Sequence, residues 1–229
     1  MKKSSLLTLG VALLAGVIAF VAIRSFLEPK APPAAEIAPL PGAPATASGA
    51  GDNPGIARKI PEKLPDFTLS TLEGPPKAIS AFTQPSLVVN FWATWCAPCR
   101  REIPLLRQIR AERGDKGVEV VGVAVDFRED VVKYAAEIGL DYPLLIGEED
   151  GMAAADSFGV DPVFPFTAFV DRKRRIIALK IGELHADEAA FILDHVDKVN
   201  AGSLQPDAAR QLIRDEIRRL DALRPKEKA

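Results

Sequence analysis

The amino-acid sequence predicts an α/β domain, a three-layer sandwich in which a mixed β-sheet lies between layers of helices. Short apolar runs, typical of strands buried on both faces, alternate with segments of helical periodicity. Near the end of the domain, two such runs are separated only by the polar turn Asp171–Arg175, which predicts an antiparallel hairpin. Because strands joined by helical crossovers run parallel and a hairpin is antiparallel, the sheet is expected to be mixed.

The composition indicates a folded chain with no general attraction for polyanions. Of the 229 residues, 48% are hydrophobic and 26% are charged, which excludes an intrinsically disordered chain. The 29 Lys and Arg nearly balance the 31 Asp and Glu, so the formal charge is -2 and no overall positive field exists. We therefore expect no nucleic-acid partner.

Residues 1–28 are predicted to be a signal anchor with a single transmembrane helix. Lys2 and Lys3 precede the uncharged stretch Leu6–Ile23, whose 18 apolar or small residues approach the roughly 20 that cross a bilayer. The lysine pair before this stretch, against only Arg24 after it, places the N-terminus in the cytoplasm and the rest of the chain outside. A cleaved signal peptide and a buried soluble helix are the alternatives.

Residues 29–64 are predicted to be a flexible tether between the anchor and the folded domain. They contain eight prolines with Ala, Gly and Ser between them, and few side chains that could fill a core. A flexible chain of this length spans on the order of 30 to 35 Å. The domain that follows is therefore expected to stay near the membrane.

The folded domain is predicted over residues 65–200. Ser86–Trp92 and Val118–Val125 are apolar runs typical of buried strands, and a helix is expected after each, the second over Asp130–Gly139. The remaining elements are a short apolar piece at Leu144–Leu145, a helix over Gly151–Phe158, the hairpin strands Phe166–Val170 and Ile176–Ile181, and a helix over Ala186–Val199.

Residues 201–229 are predicted to form an amphipathic helix and a polar tail. Within Pro206–Leu223, the apolar residues Ile213, Ile217 and Leu220 share one face, and charged residues occupy the others. We expect this helix to pack on the domain or on its neighbouring helix. A dedicated interaction surface is the alternative.

The only two cysteines, Cys96 and Cys99, follow a buried strand and begin a helix. Two cysteines, with His185 and His195 far downstream, cannot supply a four-cysteine zinc site or a disulfide framework, so no metal is expected. The helix N-terminus favours a thiolate at Cys96, which would attack a substrate disulfide, and Cys99 would resolve the mixed disulfide. An inert cysteine pair and transfer of cuprous ion by the two thiols are the alternatives.

The residues around the cysteines resemble a known family. The run Phe-Trp-Ala-Thr-Trp-Cys-Ala-Pro-Cys-Arg-Arg-Glu-Ile-Pro at Phe91–Pro104 is similar to the active site of membrane-anchored, extracytoplasmic thioredoxin-like proteins of the TlpA/ResA type. The similarity continues through Val118–Asp126, Tyr142–Gly147 and Phe158–Asp171, and covers roughly Pro65–Leu193. It implies a thioredoxin-like fold in the periplasm, anchored in the bacterial inner membrane.

The same resemblance implies roles for four further residues. Trp95 matches a tryptophan that packs beside the disulfide, and Glu102 matches an acid that exchanges protons with the resolving cysteine. The alternative is an exposed Glu102 in the first helical turn, favoured by the helix dipole, or a Glu102 paired with Arg101, Arg107 or another nearby base. Phe164 and Pro165 match the substrate-facing wall, in which Pro165 is cis and the Phe164 backbone pairs with an extended substrate segment. Pro162 is the weaker candidate for the cis-proline.

The resemblance also implies an activity. We expect a thiol:disulfide oxidoreductase that reduces disulfides of client proteins, as in cytochrome c or oxidase maturation, without a cofactor. A membrane-embedded thiol reductase of the CcdA/DsbD type would return it to the dithiol form. A copper-delivery module and a disulfide oxidase or isomerase are the alternatives, because a C-x-x-C motif alone does not fix the reduction potential.

Overall fold

Seven strands and five α-helices make up the described part of the chain, residues 60–161 and 163–224 of a computed structural model. The strands are β1 (Thr68–Thr71), β2 (Pro76–Ala78), β3 (Ser86–Trp92), β4 (Val118–Val125), β5 (Leu144–Gly147), β6 (Phe166–Val170) and β7 (Ile176–Ile181). The helices are α1 (Ala97–Arg113), α2 (Arg128–Ile138), α3 (Glu149–Asp156), α4 (Ala186–Asn200) and α5 (Pro206–Leu223).

The strands form one mixed sheet in the order β2-β1-β5-β4-β3-β6-β7. β3, β4 and β5 run parallel, whereas the pairs β3 with β6, β6 with β7, β1 with β5 and β1 with β2 are antiparallel. Every residue of the interior strand β3 is buried, as its largely apolar run predicts. The predicted mixed sheet is confirmed.

Helices cover both faces of this sheet. Side chains of successive strand residues point to opposite faces, so each interior strand contributes to two cores. Val88 and Trp92 of β3 face a core shared with α1, α2, α4 and α5. Leu87, Val89 and Phe91 face a second core shared with α3 and the short 3-10 turn at residues 79–81. The three-layer α/β/α arrangement predicted from the sequence is therefore present.

Two helices begin two residues earlier than their apolar periodicity predicts. The helix α2 starts at Arg128 rather than Asp130, and α3 starts at Glu149 rather than Gly151. Acidic residues occupy the first turn of both helices, where they interact favourably with the helix dipole without facing the core. Apolar periodicity detects a helix only from its first buried residue, so it places these starts too late.

The edge of the sheet includes strands that the sequence analysis did not identify. β1 and β2 are only 4 and 3 residues long and are partly exposed, so they lack a continuous apolar run. In addition, Leu64 N–H donates to Arg174 O at 2.8 Å, and Ile176 N–H donates to Glu62 O at 2.9 Å. The folded domain therefore begins before residue 65, and the last residues assigned to the tether belong to it.

The C-terminal helix α5 packs on the domain, as predicted. Ala209 and Ile213 are buried, and the guanidinium of Arg210 donates to Ile176 O at 3.0 Å. None of the helices within residues 60–161 and 163–224 is long and apolar enough to cross a membrane. The predicted anchor Leu6–Ile23 and most of the tether lie outside the described residues.

Candidate active site

A disulfide joins Cys96 and Cys99, with an S–S distance of 2.01 Å and Cα atoms 5.3 Å apart. Cys96 is the N-cap of α1, and its Sγ accepts a hydrogen bond from Cys99 N–H at 3.3 Å. Cys96 is 5% exposed and Cys99 is fully buried. The end of a central strand and the start of a helix therefore place Cys96 at the surface-facing side of the pair, where the helix N-terminus favours a thiolate.

Asp126 fixes the loop that leads into the cysteines. This residue directly follows β4, the parallel neighbour of β3. Its Oδ2 accepts hydrogen bonds from Thr94 N–H at 2.8 Å and from Thr94 Oγ1 at 2.5 Å, and its Oδ1 accepts one from Phe127 N–H at 2.8 Å. Sequence reasoning missed this role, although an acid directly after a buried parallel strand is a usable signal.

Glu102 is a buried residue of α1, the helix that begins at the cysteines. It is 1% exposed and lies three residues after Cys99, on the same face of α1. Its Oε1 accepts a hydrogen bond from Asn90 Nδ2 at 2.7 Å, and its Oε2 accepts one from Leu184 N–H at 2.7 Å. The alternatives of an exposed Glu102 and of a Glu102 paired with an arginine are therefore both wrong. Arg101 pairs with Glu183, and Arg107 pairs with Asp141.

Burial raises the pKa of Glu102 to about 7. Desolvation disfavours the carboxylate and outweighs the hydrogen bonds from Leu184 and Asn90, which lower the pKa. The direction of the shift is the one expected from apolar surroundings. A group with this pKa can take up or release a proton near neutral pH.

Asn90 and Thr167 complete the surroundings of Glu102, and sequence reasoning missed both. They lie opposite each other on β3 and β6, and Asn90 Nδ2 also donates to Thr167 Oγ1 at 3.0 Å. An amide can serve both forms of Glu102, because rotation of the side chain exchanges its donor Nδ2 for its acceptor Oδ1. The available signal was a polar residue inside an apolar strand, since a buried amide needs partners.

The substrate-facing residues implied by the resemblance lie together. Trp95 is 69% exposed, and its ring centroid is 6.4 Å from that of Phe164 in a T-shaped arrangement. The peptide bond between Phe164 and Pro165 is cis, and Pro165 O accepts a hydrogen bond from Gly182 N–H at 2.8 Å. The other candidate, Pro162, lies outside the described residues.

A second buried glutamate lies next to this site. Glu188 at the start of α4 is fully buried, and its Oε2 accepts a hydrogen bond from His185 N–H at 3.0 Å. Its Oε1 is 2.8 Å from Lys180 Nζ and 2.7 Å from a guanidinium nitrogen of Arg224. Adjacent backbone N–H groups, those of Leu184 and His185, are therefore bound by two different carboxylates.

Comparison with known proteins agrees with this geometry. The Redoxin family model matches residues 59–193, more than half of the chain. The protein named thiol-disulfide oxidoreductase ResA from Geobacillus thermodenitrificans is 31% identical over 136 residues, which cover 59% of this chain and 75% of that protein.

Comparison with solved structures also finds thiol–disulfide proteins. A thiol:disulfide interchange protein of the thioredoxin family from Chlorobium tepidum TLS has a TM-score of 0.51 and 26% identity, covering 61% of this chain and 96% of that one. A secreted thiol-disulfide isomerase from Corynebacterium glutamicum has a TM-score of 0.52 and 25% identity, covering 73% and 98%. The chain thus belongs to the Redoxin family and is a thiol–disulfide oxidoreductase of the ResA and thioredoxin-like type.

Proposed function

We propose that this protein reduces disulfides of client proteins outside the cytoplasm. The observation that carries the proposal is the buried Glu102, with a pKa raised to about 7, on the same face of α1 as Cys99. Cys99 must lose its proton before it can resolve a mixed disulfide. A carboxylate that titrates near neutral pH is suited to take that proton.

The reaction starts from the dithiol form of the protein. The Cys96 thiolate attacks one sulfur of the client disulfide, so that a Cys96–client S–S bond forms and the client S–S bond breaks. The released client sulfur leaves as a thiolate and takes a proton from solvent. Cys96 is the attacking residue because it is the more exposed cysteine and stands at the helix N-terminus.

The second step releases the client. Cys99 transfers its proton to the Glu102 carboxylate and attacks Cys96 Sγ, which forms the Cys96–Cys99 disulfide and breaks the mixed disulfide. The client leaves as a dithiol after it takes up its second proton. Two electrons pass from the protein to the client, and the protein is left in the disulfide form present in the structure.

The location is part of the proposal. The apolar stretch Leu6–Ile23 and the preceding Lys2 and Lys3 support a single-pass protein of the bacterial inner membrane with its domain in the periplasm. In that position, a membrane-embedded thiol reductase of the CcdA/DsbD type would supply the electrons, and clients would belong to cytochrome c or oxidase maturation. An alkaline phosphatase fused after Ala229 is expected to be active; an inactive fusion would contradict this location.

Trapping with a Cys99→Ser variant tests the reaction and names the clients. Without the resolving thiol, Cys96 is expected to accumulate mixed disulfides with client proteins in cells. The matched control is a variant with both cysteines replaced by serine, which should form none. A stable, reduced Cys99→Ser protein without adducts would overturn the proposed reaction.

A reduction potential separates a reductant from an oxidase or isomerase. Thiol–disulfide proteins extend from about -270 mV for reductants to about -120 mV for strong oxidants. We expect titration of the Cys96–Cys99 pair against glutathione and dithiothreitol buffers to give a value toward the reducing end. A value near the oxidising end would reverse the direction of electron flow proposed here.

A further inference from the structure

A row of polar side chains crosses three neighbouring strands and joins Glu102 to the C-terminal helix α5. The registers of β3 with β6 and of β6 with β7 place Asn90, Thr167 and Lys180 side by side. Directly paired residues of antiparallel strands point to the same face of a sheet, so these three side chains share one face. Asn90 donates to Glu102 at one end of the row. At the other end, Lys180 Nζ is 3.2 Å from Oδ1 of Asp221, a residue of α5.

A second connection between Glu102 and α5 runs through the loop between β7 and α4. Leu184 N–H donates to Glu102 Oε2. The next amide, that of His185, donates to Glu188 Oε2. Glu188 Oε1 in turn lies 2.7 Å from Nη1 of Arg224, which directly follows α5. Adjacent amides are separated by only two soft dihedral angles, so they do not reorient independently. The contact between Glu188 and Arg224 therefore constrains the N–H group that binds Glu102.

These contacts come from a part of the chain that the Redoxin family model does not match. The match ends at residue 193, before α5 starts. The guanidinium of Arg224 contacts three carboxylates, those of Asp187, Glu188 and Asp221. Buried ion pairs often stabilise a fold no more than apolar residues of similar volume do. Packing of α5 on the domain therefore does not by itself account for this cluster of charges.

The charges that act on Glu102 come from the elements packed against it. Burial has the largest influence on the pKa of Glu102, and its two hydrogen bonds lower that pKa. Glu183, in the loop between β7 and α4, raises the pKa of Glu102, and Lys180 of β7 lowers it. Tyr142, before β5, stays neutral because burial and the charge of Glu102 raise the pKa of its hydroxyl. Cys99 of α1 is held in the disulfide. Among the described residues, Lys180 is thus the cation that favours the carboxylate form of Glu102.

We propose that α5 is a positioning element for proton exchange at Glu102, and that Asp221 and Arg224 are its positioning residues. Asp221 offsets the positive field of Lys180. Arg224 holds Glu188 and, through the loop, the N–H group that binds Glu102. The two residues therefore act through Lys180 and Glu188 and not on the sulfur atoms. The proposal rests on the proposed function, in which Glu102 accepts the proton of the resolving cysteine.

Removing either charge should move the pKa of Glu102, and the two shifts should have opposite signs. Asp221→Asn leaves Lys180 with one anion fewer, so its field favours the Glu102 carboxylate more strongly and the pKa should fall by about 0.5. Arg224→Gln removes a cation and loosens the N–H donor, so the carboxylate is less favoured and the pKa should rise by about 0.5. A general loss of stability does not produce opposite shifts.

Infrared titration of the disulfide form measures the protonation of Glu102 without any reaction. A protonated carboxyl has a C=O stretching band that a carboxylate lacks, and exposed acids are ionised above about pH 6. The full-length chain, purified in a nonionic detergent without carboxyl groups, is titrated, and Glu102→Gln assigns the band. The matched controls are Arg218→Gln and Asp215→Asn, which remove the same charges from exposed side chains of α5 and should leave the midpoint unchanged.

The infrared result decides the proposal directly. A lower midpoint in Asp221→Asn and a higher one in Arg224→Gln would support it. Unmoved midpoints, shifts of the same sign, or equal shifts in the two controls would overturn it. Arg224→Lys keeps the charge and should bring the midpoint back toward that of the wild type; a midpoint equal to that of Arg224→Gln would remove the charge of Arg224 from the explanation.

The same shifts should appear in the step that Glu102 serves. The reduced chain is mixed with one equivalent of an aromatic disulfide that releases a coloured thiolate in each step, so that the second release reports resolution by Cys99. The pH at which resolution reaches half of its maximal rate should fall in Asp221→Asn and rise in Arg224→Gln. Shifted infrared midpoints with an unchanged resolution profile would overturn the role of α5 in proton exchange.

Failure to fold and failure of the proposed function give different results. The side chain of Asp221 is 51% exposed, so Asp221→Asn is expected to fold, and circular dichroism checks each variant. A wild-type chain that reduces no disulfide would contradict the proposed function. The infrared midpoints of the same protein would still decide whether α5 controls the protonation of Glu102, because that measurement needs no client and no electron transfer.

Discussion

Two buried glutamates lie on either side of one loop and differ in the charge of their partners. Glu102 and Glu188 are 1% and 0% exposed, and each accepts a hydrogen bond from a backbone N–H, those of Leu184 and His185. The other partner of Glu102 is the neutral amide of Asn90, whereas Glu188 contacts the cations of Lys180 and Arg224.

The comparison shows that burial alone does not decide what a carboxylate can do. Two cations offset the desolvation of Glu188 and make it part of a structural ion pair that joins β7, α4 and the end of α5. The neutral donors to Glu102 offset less of the cost of removing its carboxylate from water. The pKa of Glu102 therefore rises to about 7, and this group can exchange a proton. Similar burial therefore yields an acid–base group in one position and a member of a structural ion-pair network in the other.

The largest effect is expected from breaking the structural ion pair. Lys180→Met should lower the free energy of unfolding by about 3 kcal/mol or more, because it leaves the buried Glu188 with only Arg224. Urea denaturation measures this change. The control Lys198→Met, on an exposed side chain of α4, should change stability by no more than about 0.5 kcal/mol. A loss below about 1 kcal/mol in Lys180→Met would mean that Glu188 does not depend on this cation.

The second effect is a pH dependence of stability that Glu102 introduces. Its pKa is about 7 in the folded protein and 4.5 when unperturbed, so between these values the folded state binds more protons than the unfolded state. The free energy of unfolding should therefore fall as pH rises from about 4.5 to 7, by up to about 3 kcal/mol from this group. Glu102→Gln should lack this decrease. Parallel pH–stability curves for the wild type and the variant would contradict the shifted pKa.

The smallest effect is expected from replacing Asn90, the neutral side-chain partner of Glu102. Asn90→Val removes a hydrogen bond that stabilises the carboxylate, so the pKa of Glu102 should rise further, by about one unit. The pH dependence of Cys99 resolution, followed by rapid mixing, should move to higher pH by the same amount. Thr167→Val keeps the Asn90–Glu102 contact and should shift the profile less. Equal profiles for Asn90→Val and the wild type would remove Asn90 from the positioning of Glu102.

The sequence was most informative where the signal is local. Cys96 and Cys99 and their place at a helix start follow from neighbouring residues, and the spacing of Glu102 follows from helical geometry. Asn90 and Thr167 are 77 residues apart, so their contact depends on a strand pairing that periodicity does not specify. The resemblance named Trp95, Glu102, Phe164 and Pro165, but the partners of Glu102 required the three-dimensional register.

Sequence also could not foresee how the ends of the domain are held. Residues 62–64 look like tether because Glu62 and Lys63 are charged and follow Pro61. Glu62 and Leu64 nevertheless hydrogen-bond to the β6–β7 hairpin. The α5 helix was predicted from its apolar face. Its ion pairs through Asp221 and Arg224 to β7 and α4 depend on the packing angle, which one-dimensional periodicity does not contain.

The adjacent amides of Leu184 and His185 provide a reporter and its internal reference within one loop. Leu184 N–H donates to Glu102, which changes protonation, and His185 N–H donates to Glu188, which lies between two cations. In a nitrogen–proton correlation spectrum, the Leu184 resonance should follow the titration of Glu102, and the His185 resonance should respond less to that titration because Glu102 does not accept its hydrogen bond. In a nitrogen-15-labelled protein, the Leu184 amide would therefore report the protonation of Glu102 without a probe attached to either cysteine.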